Sequence, residues 1–104
     1  MAEDRIAYYR AFVDRDPNNT MAWYCLAQEH AKAGALDEAV AAYRRVIAID
    51  PAYVAAYYHG GLALQRAGDV AAARDLLTRG LAAARHKGDG KGAGEIQELL
   101  SQLG

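Results

Sequence analysis

Most of the reactive potential of this sequence lies in three histidines, one cysteine and two glycine-rich runs. His59 precedes Gly60-Gly61, an arrangement that could set an anion cradle beside an imidazole base. Cys25 and His59 could pair as a thiolate nucleophile and its base. The run GDGKGAG, residues 88–94, has the look of a phosphate loop. A Walker loop, however, needs four residues between its first glycine and Gly-Lys, and Ser or Thr after the lysine. Here Gly92 follows Lys91, Arg85 stands where the first glycine should be, and no strand pattern precedes the run. It reads as a flexible hinge. His30 stands on an apolar helix face and reads as a core imidazole, while His86 lies near a helix C-terminus, where positive charge is favourable. None of these has a second His, Cys or carboxylate clustered beside it, so no metal and no cofactor is expected.

The elements that must position such groups follow from composition. A chain of 104 residues is one domain's worth with a modest core. Its net charge is −1, with acids and bases interspersed, so nucleic acid is not expected as a partner. One cysteine cannot form an internal disulfide or make a structural zinc site alone. The start, MAEDRIAYY, carries early acids and no apolar core of a secretory signal. The longest uncharged run, Pro51 to Gln65, is too short to span a bilayer. Abundant alanine, two prolines and few β-branched residues predict an all-α, cytoplasmic domain with no membrane contact.

An internal repeat organises the helices. Pro17 and Pro51 lie 34 residues apart, each after an aspartate. The same shift aligns Trp23 with Tyr57, Tyr24 with Tyr58, Ala27 with Gly61, Gly34 with Gly68 and Ala39 with Ala73. Shifted backwards, Tyr9, Phe12, Val13 and Asp16 align with Tyr43, Val46, Ile47 and Asp50. Trp23, Leu26, Ala27 and His30 share one helical face, with Asn19 as N-cap and Gly34 as left-handed stop. Asp37 can cap the next helix, whose face carries Val40, Tyr43, Val46 and Ile47, and Pro51 ends it. Gly68 and Asp69 repeat the stop and the cap. At the C-terminus Ile96, Leu99, Leu100 and Leu103 mark a short amphipathic helix.

A 34-residue period with Trp23, Leu26, Ala27, Ala39, Tyr43 and Pro51 in that order resembles the tetratricopeptide repeat. The second copy is looser: Tyr57 stands for tryptophan, Gly60 for leucine and Arg85 for the last proline. The resemblance implies an all-α, right-handed α-solenoid of antiparallel helix pairs, about six helices in a single domain. Its expected parts are a leading helix at 3–15, repeats at 20–51 and 54–87, and a capping helix at 93–103. The leading helix is then the second helix of a repeat whose first is missing, and Arg5 falls where Ala39 and Ala73 sit. Gly61 holds the family's small position, where paired helices cross closely. Gly60 has no such role and reads as a weak point, filled by Leu62, Leu64 or a neighbouring tyrosine. Cys25 and His59 share one repeat position on adjacent helices, roughly 8–10 Å apart at their axes, too far for a catalytic pair.

The resemblance also implies a non-enzymatic interaction module that binds a peptide segment in a concave groove. The groove-lining positions are Met21, Tyr24, Gln28 and Lys32 on one first helix and Ala55, Tyr58, Leu62, Gln65 and Arg66 on the next. Two tyrosines and two bases in register suggest a peptide with an apolar anchor and an acidic residue. A chaperone-tail clamp is not matched, since Tyr24, Gln28 and His59 occupy its lysine and asparagine sites. The protein partner is otherwise undefined, and the chain is expected to be a monomer or a weak homo-oligomer. The alternative is self-association through the solenoid ends, favoured if Ile6 or Tyr8 is exposed.

Overall fold

Helix boundaries fall where the chain supplies caps and stops. A computed structural model describes residues 2–103 and contains, among them, six helices and no strand. These are α1 (Ala2–Arg15), α2 (Thr20–Lys32), α3 (Leu36–Ile49), α4 (Val54–Arg66), α5 (Val70–Lys87) and α6 (Gly90–Gln102). The Asn19 side chain accepts from the Ala22 amide at 3.0 Å to start α2, and Asp69 accepts from Ala72 at 3.1 Å to start α5. Gly34, Gly68 and Gly88 take positive φ after α2, α4 and α5. There the amides of Ala35, Asp69 and Asp89 reach back to the carbonyls of His30, Leu64 and Ala84 at 2.8–2.9 Å. Asp37 lies inside the first turn of α3 with Glu38 rather than capping it; the N-cap is Ala35, which offers no side-chain bond. Both acids there complement the helix dipole instead.

Short turns make successive helices antiparallel neighbours, and the 34-residue register holds down to single hydrogen bonds. Trp23 Nε1 donates to the Pro17 carbonyl at 2.8 Å, and the Tyr57 hydroxyl donates to the Pro51 carbonyl at 2.8 Å. Arg45 stands 5.1 Å over the Trp23 ring and Arg79 5.9 Å over the Tyr57 ring, so cation–π contacts recur in both copies. Asp16 and Asp50 each accept from the amide two residues on, closing the same turn. The core then runs along the array: Ala27, Ala39, Tyr43, Val46, Tyr57 and Leu76 bury together, and Val54, Leu77, Ala84, Ile96 and Leu99 follow.

Glycines set the helix separations. A Cβ on Gly61 would stand 2.5 Å from Leu77 Cδ2, so α4 and α5 cross too closely there for a side chain. Gly60 departs from the weak point expected of it. A Cβ there would meet Leu76 Cδ2 at 2.8 Å and Tyr43 Cβ at 3.4 Å, so residues of α5 and α3 already fill the space. The expected hinge is likewise helix: α6 begins at Gly90, capped by Asp89 accepting from Gly92 at 2.8 Å. Gly92 is buried against Val54, where a Cβ would stand 2.9 Å from Val54 Cγ1. Close packing there overrides glycine's low helix propensity.

At the N-terminal end, Arg5 turns its guanidinium to Glu29 of α2, with Nε donating to Oε1 at 2.7 Å. Glu29 is buried and Arg5 holds its carboxyl below the usual carboxylate range. No described helix is long and apolar enough to cross a membrane.

Candidate functional site

The candidate site is built from helices α2, α4 and α6. Rings bring the first two together. Tyr24 lies 5.2 Å from Tyr53, 5.9 Å from Tyr43 and 6.1 Å from His59, centroid to centroid. His59 in turn lies 5.2 Å from Tyr58, edge to face. Among the ring contacts of the described residues the expected tyrosines do not touch each other directly; each lies against the His59 ring. Burial pushes the Tyr24 hydroxyl up and the His59 imidazole down, the latter opposed by the negative Glu95 nearby. Gln28 is half-buried and accepts a hydrogen bond from the Tyr43 hydroxyl, which burial also raises.

The bases at the end of this face are engaged. Lys32 Nζ pairs with Glu29 Oε2 at 3.4 Å, and Arg66 Nη1 donates to the Ala31 carbonyl at 3.3 Å. Met21 is 68% exposed, and the structure brings it toward α1 rather than α4. It borders a cavity of about 250 Å³ with Tyr8, Tyr9, Phe12 and Cys25. Cys25, beside Tyr9, raises that hydroxyl's pKa. Cys25 borders Tyr9 and Met21 while His59 borders Tyr58 and Glu95, with Tyr24 near both. His30 is buried beside Arg10 and Glu38, and burial pushes its imidazole pKa down.

Two open cavities lie along the seam of α4 and α6. One, of about 290 Å³, is bordered by Ala55, Tyr58, His59, Lys91 and Glu95. The other, of about 270 Å³, is bordered by Tyr58, Leu62, Gln65, Glu95, Glu98 and Gln102. Tyr58 and Glu95 border both. The α6 side of the site was missed in the sequence because α6 follows α4 at a spacing of 36, not 34. Leu62 matches Glu98, His59 matches Glu95 and Arg66 matches Gln102 at that spacing. The signal was the N-cap: Asp89 marks where the third first-helix begins. Among the described residues no group of three His, Cys, Asp or Glu could hold a metal ion.

The fold and this face define a class: a short α-solenoid of helix pairs whose first helices share one surface. A family model for the TPR repeat matches residues 27–68. The tetratricopeptide repeat domain protein from Salinibacter ruber, solved in solution, is 33% identical; the match covers 85% of this chain and 89% of that one, with a TM-score of 0.77. A Bordetella parapertussis protein, BPP2914, is 31% identical over 94% of this chain and 85% of that one, with a TM-score of 0.80. The TPR2B domain of yeast Sti1, solved in complex with pHsp70, shares the fold at a TM-score of 0.90, with 24% identity over 98% of this chain and 82% of that one. No curated protein sequence matches. The chain belongs to the tetratricopeptide repeat family.

Proposed function

We propose that the chain is a non-enzymatic adaptor that binds a peptide segment of a partner protein on the face of α2, α4 and α6. The observation that carries this reading is the pair of cavities meeting at Tyr58. A half-buried tyrosine between two open pockets offers large contact area, little entropy loss and a free hydroxyl to a bound segment. That the Sti1 domain of the same fold was solved with pHsp70 supports it. A face of two and a half repeats is small, so affinity on the order of micromolar is expected. Chemical-shift mapping with a binding peptide tests the assignment. Perturbations should centre on Tyr58, Leu62 and Gln65; a cluster around Arg44, Arg45 and Arg74 on the second helices would defeat it.

A second reading rests on α1. Tyr8 is 59% and Phe12 41% exposed, close to exposed Met21. At a spacing of 34, Arg5, Tyr8 and Phe12 match Ala39, Ala42 and Val46, all buried in repeat 1. An apolar face at positions that are elsewhere interior favours weak self-association through this end. Sedimentation velocity of the wild type against Tyr8→Ser/Phe12→Ser checks it: equal behaviour at high concentration removes this reading.

A further inference from the structure

The two bases that suggested an acidic ligand are exposed but already engaged, Lys32 with Glu29 and Arg66 with the Ala31 carbonyl. The opposite wall is acidic. Glu95 and Glu98 stand at i and i+3 of α6, both exposed, and both border the cavity that holds Tyr58 and Leu62. Among the described residues neither carboxylate has an ion-pair partner, whereas Glu29, the carboxylate of α2, has two. We infer that the segment bound on this face presents a basic side chain, arginine above all, that lies on Tyr58 between Glu95 and Glu98, beside an apolar residue seated at Leu62. The inference rests on the proposal that this face binds a peptide, and it names the chemistry of that peptide.

The chemistry favours arginine over lysine. A planar guanidinium stacks on a phenol ring and still directs its N–H groups sideways. Carboxylates one helical turn apart can each accept from such a fork with charge-assisted bonds. Leu62, half-buried beside the same cavity, gives the adjoining apolar side chain its contact, and the amides of Gln65 and Gln102 can bond the ligand backbone. Acidic segments would meet two unpaired carboxylates at the same place, and like charges across an interface are strongly disfavoured.

The experiment is selection of a random twelve-residue peptide display library on the full chain, followed by fluorescence anisotropy of the enriched peptides. The expected result is enrichment of arginine or lysine next to Leu, Ile, Met or Phe. Glu95→Gln/Glu98→Gln should weaken the best peptide about tenfold, the scale of two solvent-facing ion pairs. Glu95→Lys/Glu98→Lys should turn the selection toward acidic peptides. Both carboxylates are exposed, so the fold should survive, which a thermal melt confirms. Tyr58→Ala removes the anchor of the face, and Ala55→Arg obstructs it at an exposed position without removing packing. Neutral or acidic peptides whose binding both variants abolish would overturn this inference and leave peptide binding on this face standing. Peptides indifferent to both variants, or no enrichment at all, would overturn the peptide-binding reading and this inference with it.

Discussion

Three buried glycines in similar helical settings should respond very differently to alanine. Replacing glycine by alanine in a helix gains about 1 kcal/mol of propensity, while overpacking a filled core costs about 1–3 kcal/mol. At Gly60 the one severe contact is with a terminal methyl, Leu76 Cδ2 at 2.8 Å, which a small χ2 change relieves. Gly60→Ala should then stay within about 1 kcal/mol of the wild type. At Gly61 the clash includes the Leu77 branch atom, Cγ at 2.6 Å, so the whole fully buried side chain must move. Gly61→Ala should lose about 1–2 kcal/mol net. At Gly80 the contact is Tyr57 Cβ at 2.4 Å, next to the backbone of α4, and only the helix itself can yield. Gly80→Ala should lose about 2–3 kcal/mol or more. Urea unfolding of the three variants reads the order directly. A double-mutant cycle sharpens it: with Leu77→Ala the obstructing atoms are gone, so adding Gly61→Ala should stabilise by about 1 kcal/mol. Because Leu77→Ala alone costs about 2–5 kcal/mol, the cycle is best run in trimethylamine oxide. Gly80→Ala as stable as Gly60→Ala, or a Gly61→Ala effect unchanged by Leu77→Ala, would refute the close-approach reasoning.

Deleting residues 89–104 removes Ile96 and Leu99 from Val54, Leu77 and Ala84, about 1.5–3 kcal/mol of burial for each side chain. Calorimetry should show a broadened, lower transition or aggregation; a melt as sharp and as high as that of the full chain contradicts this. Burial lowers the pKa of both His30 and His59, so the unfolded chain binds protons first as pH falls. Stability is then complete above about pH 6.5 and declines as pH drops toward the lowered folded values. Urea midpoints at pH 7.5 and 5.5 should differ, and less so in His30→Tyr, which is expected to remain folded; an unchanged difference removes His30 from the account. Arg5→Gln should let the Glu29 carboxyl titrate nearer its ordinary range and lower the melting temperature. An NMR titration that leaves Glu29 where it was would show that Arg5 does not hold it.

The repeat was legible because its marks are local. Asp-Pro ends a helix, a glycine after the last turn stops one, and Asn19 or Asp69 starts one, whatever lies across the fold. Leu26 and Ala27 could be placed on the core face for the same reason. Gly60 could not be read, because what fills its space comes from Leu76 and Tyr43, on two other helices. The glycines of GDGKGAG were read as a breaker because single-residue propensity does not register the N-cap at Asp89 or the buried contact of Gly92 with Val54. Of the candidate face, Tyr24 and Tyr58 could be matched as one repeat position on two helices, and each lies against the His59 ring. The ring between them and the α6 wall escaped notice, since α5 runs for 18 residues against 14 in α3 and moves the third row out of the 34-residue count.

Most close packing among the described residues joins helices adjacent in sequence; α6 also reaches α4, and α4 touches α2 through His59 with Tyr24 and Arg66 with the Ala31 carbonyl. Such a chain folds from short-range encounters, and its ends can open without disturbing its middle. Amide exchange should therefore be graded, slowest in α3 and α4 and fastest in α1 and α6. The contact of α6 with α4 ties the last element back to the centre of the array. A segment lying across α4 and α6 would tighten that tie, so its binding would register first as slower exchange at the C-terminal end, with the N-terminal helices left free to fray.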